Sequence, residues 1–86
     1  MYAGSVDVSL KKEDQHNLFY WLFKNTALTN APLVIWINGG PGSSSMFGLF
    51  LENGPLRVTK GTGDDNYVLG NAARSWLEVA DLLYID

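Results

Sequence analysis

Eighty-six residues allow at most one small domain, and a composition 47% hydrophobic, 13% aromatic and 17% charged is that of a globular chain rather than a disordered one. A net charge of −3 argues against a nucleic-acid or anionic-membrane partner, and no apolar run reaches the length of a membrane span. With no cysteine and one histidine, His16, neither a disulfide nor a thiolate or histidine metal site is expected, and no cofactor is implied.

From Tyr2 to Leu10 the pattern has period two. Tyr2, Val6, Val8 and Leu10 share one face and Ala3, Ser5, Asp7 and Ser9 the other, which predicts a half-buried strand. Lys11–Asn17 is a polar link of seven residues, and Leu18–Phe23, six apolar residues of which four are aromatic, reads as the second strand of an antiparallel hairpin. His16 lies in the link with no acidic or nucleophilic neighbour in sequence, as a solvated loop histidine would. Asn25–Pro32 is a loop, with Pro32 keeping Ala31 extended.

Leu33–Ile37 is continuously apolar, the mark of a strand covered on both faces. It breaks into Asn38-Gly39-Gly40-Pro41-Gly42, where the backbone must turn tightly and expose its amides. Ser43–Ser45 can cap the short helix predicted over Met46–Glu52, and Asn53-Gly54-Pro55 ends it. Leu56–Val58 reads as extended, Gly61–Asp65 as a polar turn and Asn71–Trp76 as a helical turn. Leu82–Ile85 is the fourth strand. The order β-β-β-α-β predicts an α/β fold with a mixed sheet, in one unit spanning residues 1–86.

A strand, a glycine turn and a helix start together form a pocket of backbone N–H groups that can take an anion. The residues alone also fit a plain tight turn. A dinucleotide site fits poorly: the third glycine of that fingerprint is missing, and Asp86, the acid ending the next clear strand, comes 46 positions after Gly40 where about 20 is wanted.

Asn38-Gly39-Gly40-Pro41-Gly42-Ser43-Ser44-Ser45 resembles the Asn-Gly-Gly-Pro-Gly-Cys-Ser-Ser signature of the serine carboxypeptidases, an α/β-hydrolase family. Tyr2-Ala3-Gly4, Phe19–Phe23, Glu52-Asn53-Gly54-Pro55, Ser75-Trp76 and Ala80–Asp86 fall in that family's order and at about its spacing. The resemblance implies the N-terminal part of an α/β-hydrolase sheet with spatial strand order 1-2-4-3. It implies release of C-terminal residues from peptides through an acyl-enzyme, with the substrate's C-terminus as partner. Gly40 would supply an oxyanion-hole amide. Asn38, Gly39 and Glu52 would bind the substrate carboxylate, Glu52 as a donor only in its protonated form.

The same resemblance marks what is missing. Gly42-Ser43-Ser44-Ser45-Met46 is not a Gly-x-Ser-x-Gly elbow, so Ser43–Ser45 read as cap and turn residues. The family's later aspartate and histidine have no counterpart, and His16 precedes everything; the chain by itself is expected to be inactive. Ser43 stands where the family has a cysteine, and Leu77 where it often has an asparagine. The family implies a secretory, vacuolar or lysosomal setting, yet the sequence shows no signal-peptide pattern after Met1 and no Asn-x-Ser/Thr acceptor, and leaves the compartment open. The alternative is a non-catalytic remnant serving as a structural or binding subunit. Two continuously apolar strands with one short helix to cover them leave a sheet face and an edge bare, which a protein partner could cover.

Overall fold

The computed structural model describes residues 1–86. The elements are β1 (Tyr2–Asp7), β2 (Asn17–Phe23), β3 (Leu33–Trp36), α1 (Met46–Leu51), β4 (Leu56–Lys60), β5 (Tyr67–Asn71), a 3-10 turn (Trp76–Glu78) and β6 (Asp81–Ile85). A mixed four-stranded sheet has the order β1-β2-β6-β3, with β3 parallel to β6 and the other neighbours antiparallel. This is the expected spatial order of the four sheet strands. The last is sixth in the chain because β4 and β5 form a separate antiparallel hairpin.

The sequence predicts that hairpin only in part. Leu56–Val58 is extended and Gly61–Asp65 does turn, but the return strand Tyr67–Asn71 and its pairing are new. The helical turn expected over Asn71–Trp76 falls at Trp76–Glu78, where Ser75 Oγ accepts from the Leu77 N–H at 3.0 Å. The first strand ends at Asp7, not Leu10. Asp7 Oδ1 accepts from the Ser9 N–H at 2.8 Å and bends the chain away, and hydrogen bonding from the Ser9 side chain, joined by its backbone N–H, holds the Asp7 carboxyl below its ordinary range. The strand is not half-buried either: Tyr2 and Val6, 61% and 51% exposed, stand opposite Leu22 and Leu18 on an open face.

The core lies on the other face of the sheet. Alternation along β2 and β6 turns Phe23, Leu82 and Tyr84 to one side, where Leu49 of α1 and Ala80 complete a buried cluster. Trp21, Val34, Trp36, Met46, Phe50, Leu56 and Leu77 pack around it. Leu77 makes an apolar contact there, while its carbonyl accepts from Asn25 Nδ2 at 2.6 Å.

Nothing covers the opposite face. Val6, Val8, Leu18, Tyr20, Leu22, Leu83 and Ile85 line an apolar concavity there, and Leu33 and Ile35 on the edge strand β3 are more than half exposed. The accessible surface is 6355 Å², where a folded monomer of this mass exposes about 5,000 Å². The radius of gyration is 15.2 Å, against about 12 Å for a compact chain of this length. The molecule is a slab, 46 × 42 × 21 Å, finished on one side.

Candidate functional site

The ends of β3 and β6 lie side by side, because Trp36 pairs with Tyr84 in parallel register. Continued for two residues, that register sets Asn38 across from Asp86. The carboxyl ends of parallel strands are where open α/β sheets hold ligands, and the glycine turn leaves β3 at this point.

Asn38 is half-buried and held twice. Its Oδ1 accepts from Trp36 Nε1–H at 2.8 Å, and its backbone N–H donates to Ser45 Oγ at 3.1 Å. An indole nitrogen only donates, so the Asn38 atom facing it must be oxygen. The amide nitrogen is thereby left as a donor with no acceptor in the protein.

Trp36 is itself wedged. Its indole lies against Gly48 of α1, where a Cβ would fall 2.8 Å from both Cδ1 and Cε2. The Trp76 ring meets it edge-on, with centroids 5.7 Å apart. Gly48 is thus glycine because an indole occupies the space a side chain would need.

Gly39 and Gly40 follow on the exposed turn. No atom lies within 4 Å of the place a Gly39 Cβ would take, so a ligand can come up to the backbone there. A Gly40 Cβ would meet the Ser43 backbone nitrogen at 3.0 Å, where the turn folds back. The Gly40–Pro41 peptide is cis and Gly42 has φ +85°.

The serines divide their work differently from the expected capping. Ser44 Oγ accepts from the Met46 N–H at 3.1 Å, a local bond at the helix start. Ser45 makes no side-chain cap; its Oγ is taken by Asn38 and its own N–H donates to Asp86 Oδ1 at 2.8 Å. Ser43 is exposed.

No hydrogen bond joins Glu52 to Asn38. It is exposed at the C-terminal end of α1, its carboxylate bonded to nothing in the protein. It lines a recess with Asn53, Arg74, Ser75, Trp76 and Glu78, and Trp76 is the ring that touches Trp36. The Glu52 backbone is well held: its N–H donates to Gly48 O at 3.1 Å and its carbonyl accepts from Arg57 Nη2 at 3.1 Å.

Beneath it, buried Asn53 accepts from the Tyr84 hydroxyl at 2.7 Å through Oδ1. Its carbonyl takes the Trp76 N–H and the Ser75 hydroxyl at 3.0 and 3.1 Å. Burial pushes the Tyr84 phenol up to about 12, with the Arg57 charge opposing the shift, so Tyr84 remains a donor at ordinary pH. Arg57 Nη1 is buried without an acceptor.

The framework of the site therefore includes Trp36, Ser45, Asn53, Tyr84 and Asp86, none of which the sequence singled out as site residues. His16 is exposed in the β1–β2 link, where its backbone groups bond Val8 and Ser9. No cluster of three His, Cys, Asp or Glu side chains could hold a metal ion, and no helix is long and apolar enough to cross a membrane.

Comparison with known proteins gives one consistent result. The family model described as serine carboxypeptidase matches residues 1–86. A venom serine carboxypeptidase of Apis mellifera is 47% identical over 88 residues, 99% of this chain and 17% of that protein. A pheromone-processing carboxypeptidase of Metarhizium robertsii is 45% identical over 87 residues, 100% of this chain and 13% of that protein. Among solved structures, a prohormone-processing carboxypeptidase from Saccharomyces cerevisiae superposes with a TM-score of 0.79 at 34% identity, covering 99% of this chain and 18% of that one. The chain spans less than a fifth of the length of these relatives.

Proposed function

Because the chain belongs to the serine carboxypeptidase family, we propose that it provides one wall of a carboxypeptidase active site: the carboxylate clamp and the oxyanion amide, without the nucleophile. The observation that carries this reading is the Trp36–Asn38 hydrogen bond at 2.8 Å. It spends the acceptor end of Asn38 and leaves its NH₂ as a donor beside the Gly39 backbone, where nothing obstructs a ligand. Two neighbouring N–H donors and no acceptor suit a carboxylate. The resemblance adds Glu52, at the end of α1, to the clamp, and its carboxyl group, free of any protein partner, is open to a ligand.

Gly40 N–H then serves the developing oxyanion of the tetrahedral intermediate. The nucleophile and its base are not found in residues 1–86: Ser43–Ser45 lie on the oxyanion turn, Ser45 already bonded to Asn38 and Asp86, and His16 is tied into the β1–β2 link. The unit is part of an α/β-hydrolase domain.

The test is a graft in which residues 1–86 replace the matching stretch of the Saccharomyces cerevisiae relative. The graft is expected to hydrolyse an N-blocked dipeptide. Asn38→Ala is expected to lower kcat/KM for the free acid far more than for the C-terminal amide. Equal losses on acid and amide would refute the clamp.

A second reading has its own observation. The uncovered apolar face of the four-stranded sheet and the open β3 edge suit a non-catalytic unit that works against a protein partner. Loss of activity in every graft, with the chain itself held in a stable complex, would favour it.

A further inference from the structure

The geometry points to Asp86 as a positioning residue for the donors that follow β3, acting through Ser45; this rests on the reading of Asn38 and Gly39 as a carboxylate clamp. Ser45 is 2% exposed. Its N–H opens the helix, where no carbonyl four residues back is available. A buried N–H without an acceptor costs about as much as a lost hydrogen bond. Asp86 Oδ1 meets it at 2.8 Å, and a carboxylate acceptor makes that bond stronger than a neutral one.

The consequence is in where Ser45 Oγ points. It is turned from the N–H groups of its own helix and accepts from Asn38 N–H at 3.1 Å. Asn38 lies past the last pair of β3, so the ladder offers its N–H nothing else. Asp86 is fixed in turn: its N–H donates to Phe19 O at 2.8 Å and its carbonyl accepts from Phe19 N–H at 3.2 Å. A continuous path of hydrogen bonds thus runs from β2 through Asp86 and Ser45 to Asn38. The angle at which Asn38 and Gly39 face a ligand is set from the middle of the sheet. A carboxamide at position 86 could keep the path, because it still accepts; a methyl group could not.

Amide hydrogen exchange of the graft, read by mass spectrometry over residues 37–46 and over β2, tests the path. Asp86→Ala is expected to speed exchange at Ser45 and at Asn38 by about tenfold, the scale of one hydrogen bond lost locally, while the β2 amides keep their rates. Asp86→Asn is expected to restore both to within about threefold.

Kinetics of the graft supply a readout that a purely structural role would not move. Asp86→Ala should cut the preference for free acid over C-terminal amide by about five- to tenfold through KM, with Asp86→Asn rescuing it. Asn38 exchange unmoved by Asp86→Ala, no rescue by Asp86→Asn, or a parallel fall on both substrates overturns the proposal. Asn38→Ala leaving the acid preference intact would instead overturn the clamp, while the exchange result judges the Asp86 path by itself.

Discussion

Replacing Gly48 with alanine should loosen the candidate site from behind, and the structure gives both the sign and the size. On an isolated helix Gly→Ala is favourable by about 1 kcal/mol. Here the new methyl would lie on the Trp36 indole, 2.8 Å from Cδ1 and Cε2, with Nε1 nearer still. Carbon contacts are comfortable at about 3.5–4.0 Å, so the ring must retreat by roughly 1 Å. The Trp76 ring packs edge-on against it at 5.7 Å between centroids, which limits how far the indole can move. Overpacking of this kind costs about 1–3 kcal/mol. The same shift would stretch the 2.8 Å bond to Asn38 beyond hydrogen-bond range and forfeit about 1 kcal/mol more. The balance is a net destabilisation of about 1–3 kcal/mol. Urea unfolding of the graft, followed by tryptophan fluorescence, measures it, and the indole N–H resonance of Trp36 reports the broken bond. A variant as stable as the parent, with that resonance unmoved, would refute the reasoning.

Three further outcomes are expected. Tyr84→Phe leaves the buried Asn53 Oδ1 without its donor and should cost about 1–3 kcal/mol in urea unfolding. Because the folded phenol is raised to about 12 from 10.0, its contribution is complete below pH 10 and is lost as pH climbs towards 12; an alkaline stability profile should show that loss in the parent and not in Tyr84→Phe. The 86-residue chain alone should neither hydrolyse a blocked dipeptide nor take up an active-site phosphonylating reagent at Ser43–Ser45, and stoichiometric labelling there would contradict the absence of a nucleophile. Its accessible surface of 6355 Å² exceeds the ordinary figure for its mass by about 1,300 Å², so it should aggregate or bind a partner across the open face; a monodisperse monomer unfolding cooperatively with more than roughly 5 kcal/mol would disprove this.

The sheet was legible because its strands are written in continuous or alternating apolar residues. Leu18–Phe23, Leu33–Ile37 and Leu82–Ile85 fell within a residue of their observed limits. The β4–β5 hairpin was legible only in its first half, because its return strand is exposed along its length and carries Gly70 and Asn71, so no burial pattern marks it. Asn38 and the glycine pair were visible as a local motif. What holds them was not. Trp36 reads as one more apolar residue of a strand, and its role depends on Gly48, twelve positions on, leaving room for it. The Asp86–Ser45 bond joins residues 41 apart, a separation at which side-chain pairing has no sequence signal. Glu52 was placed by resemblance, and the structure puts it at the rim of the recess, one aromatic ring removed from Trp36.

The place of β6 in the sheet bears on synthesis. It lies between β2 and β3 and follows both of them off the ribosome. Residues 37–80 separate it from β3. At about 5–20 residues per second, roughly 2–9 seconds pass before the strand that both neighbours require exists. During that interval β2 and β3 present unpaired edges, and Asn38 has no Asp86 to be tied to. The donors at the glycine turn can be set only after the central strand closes a long loop, so the aim of the turn should be among the last features of this region to form in the cell.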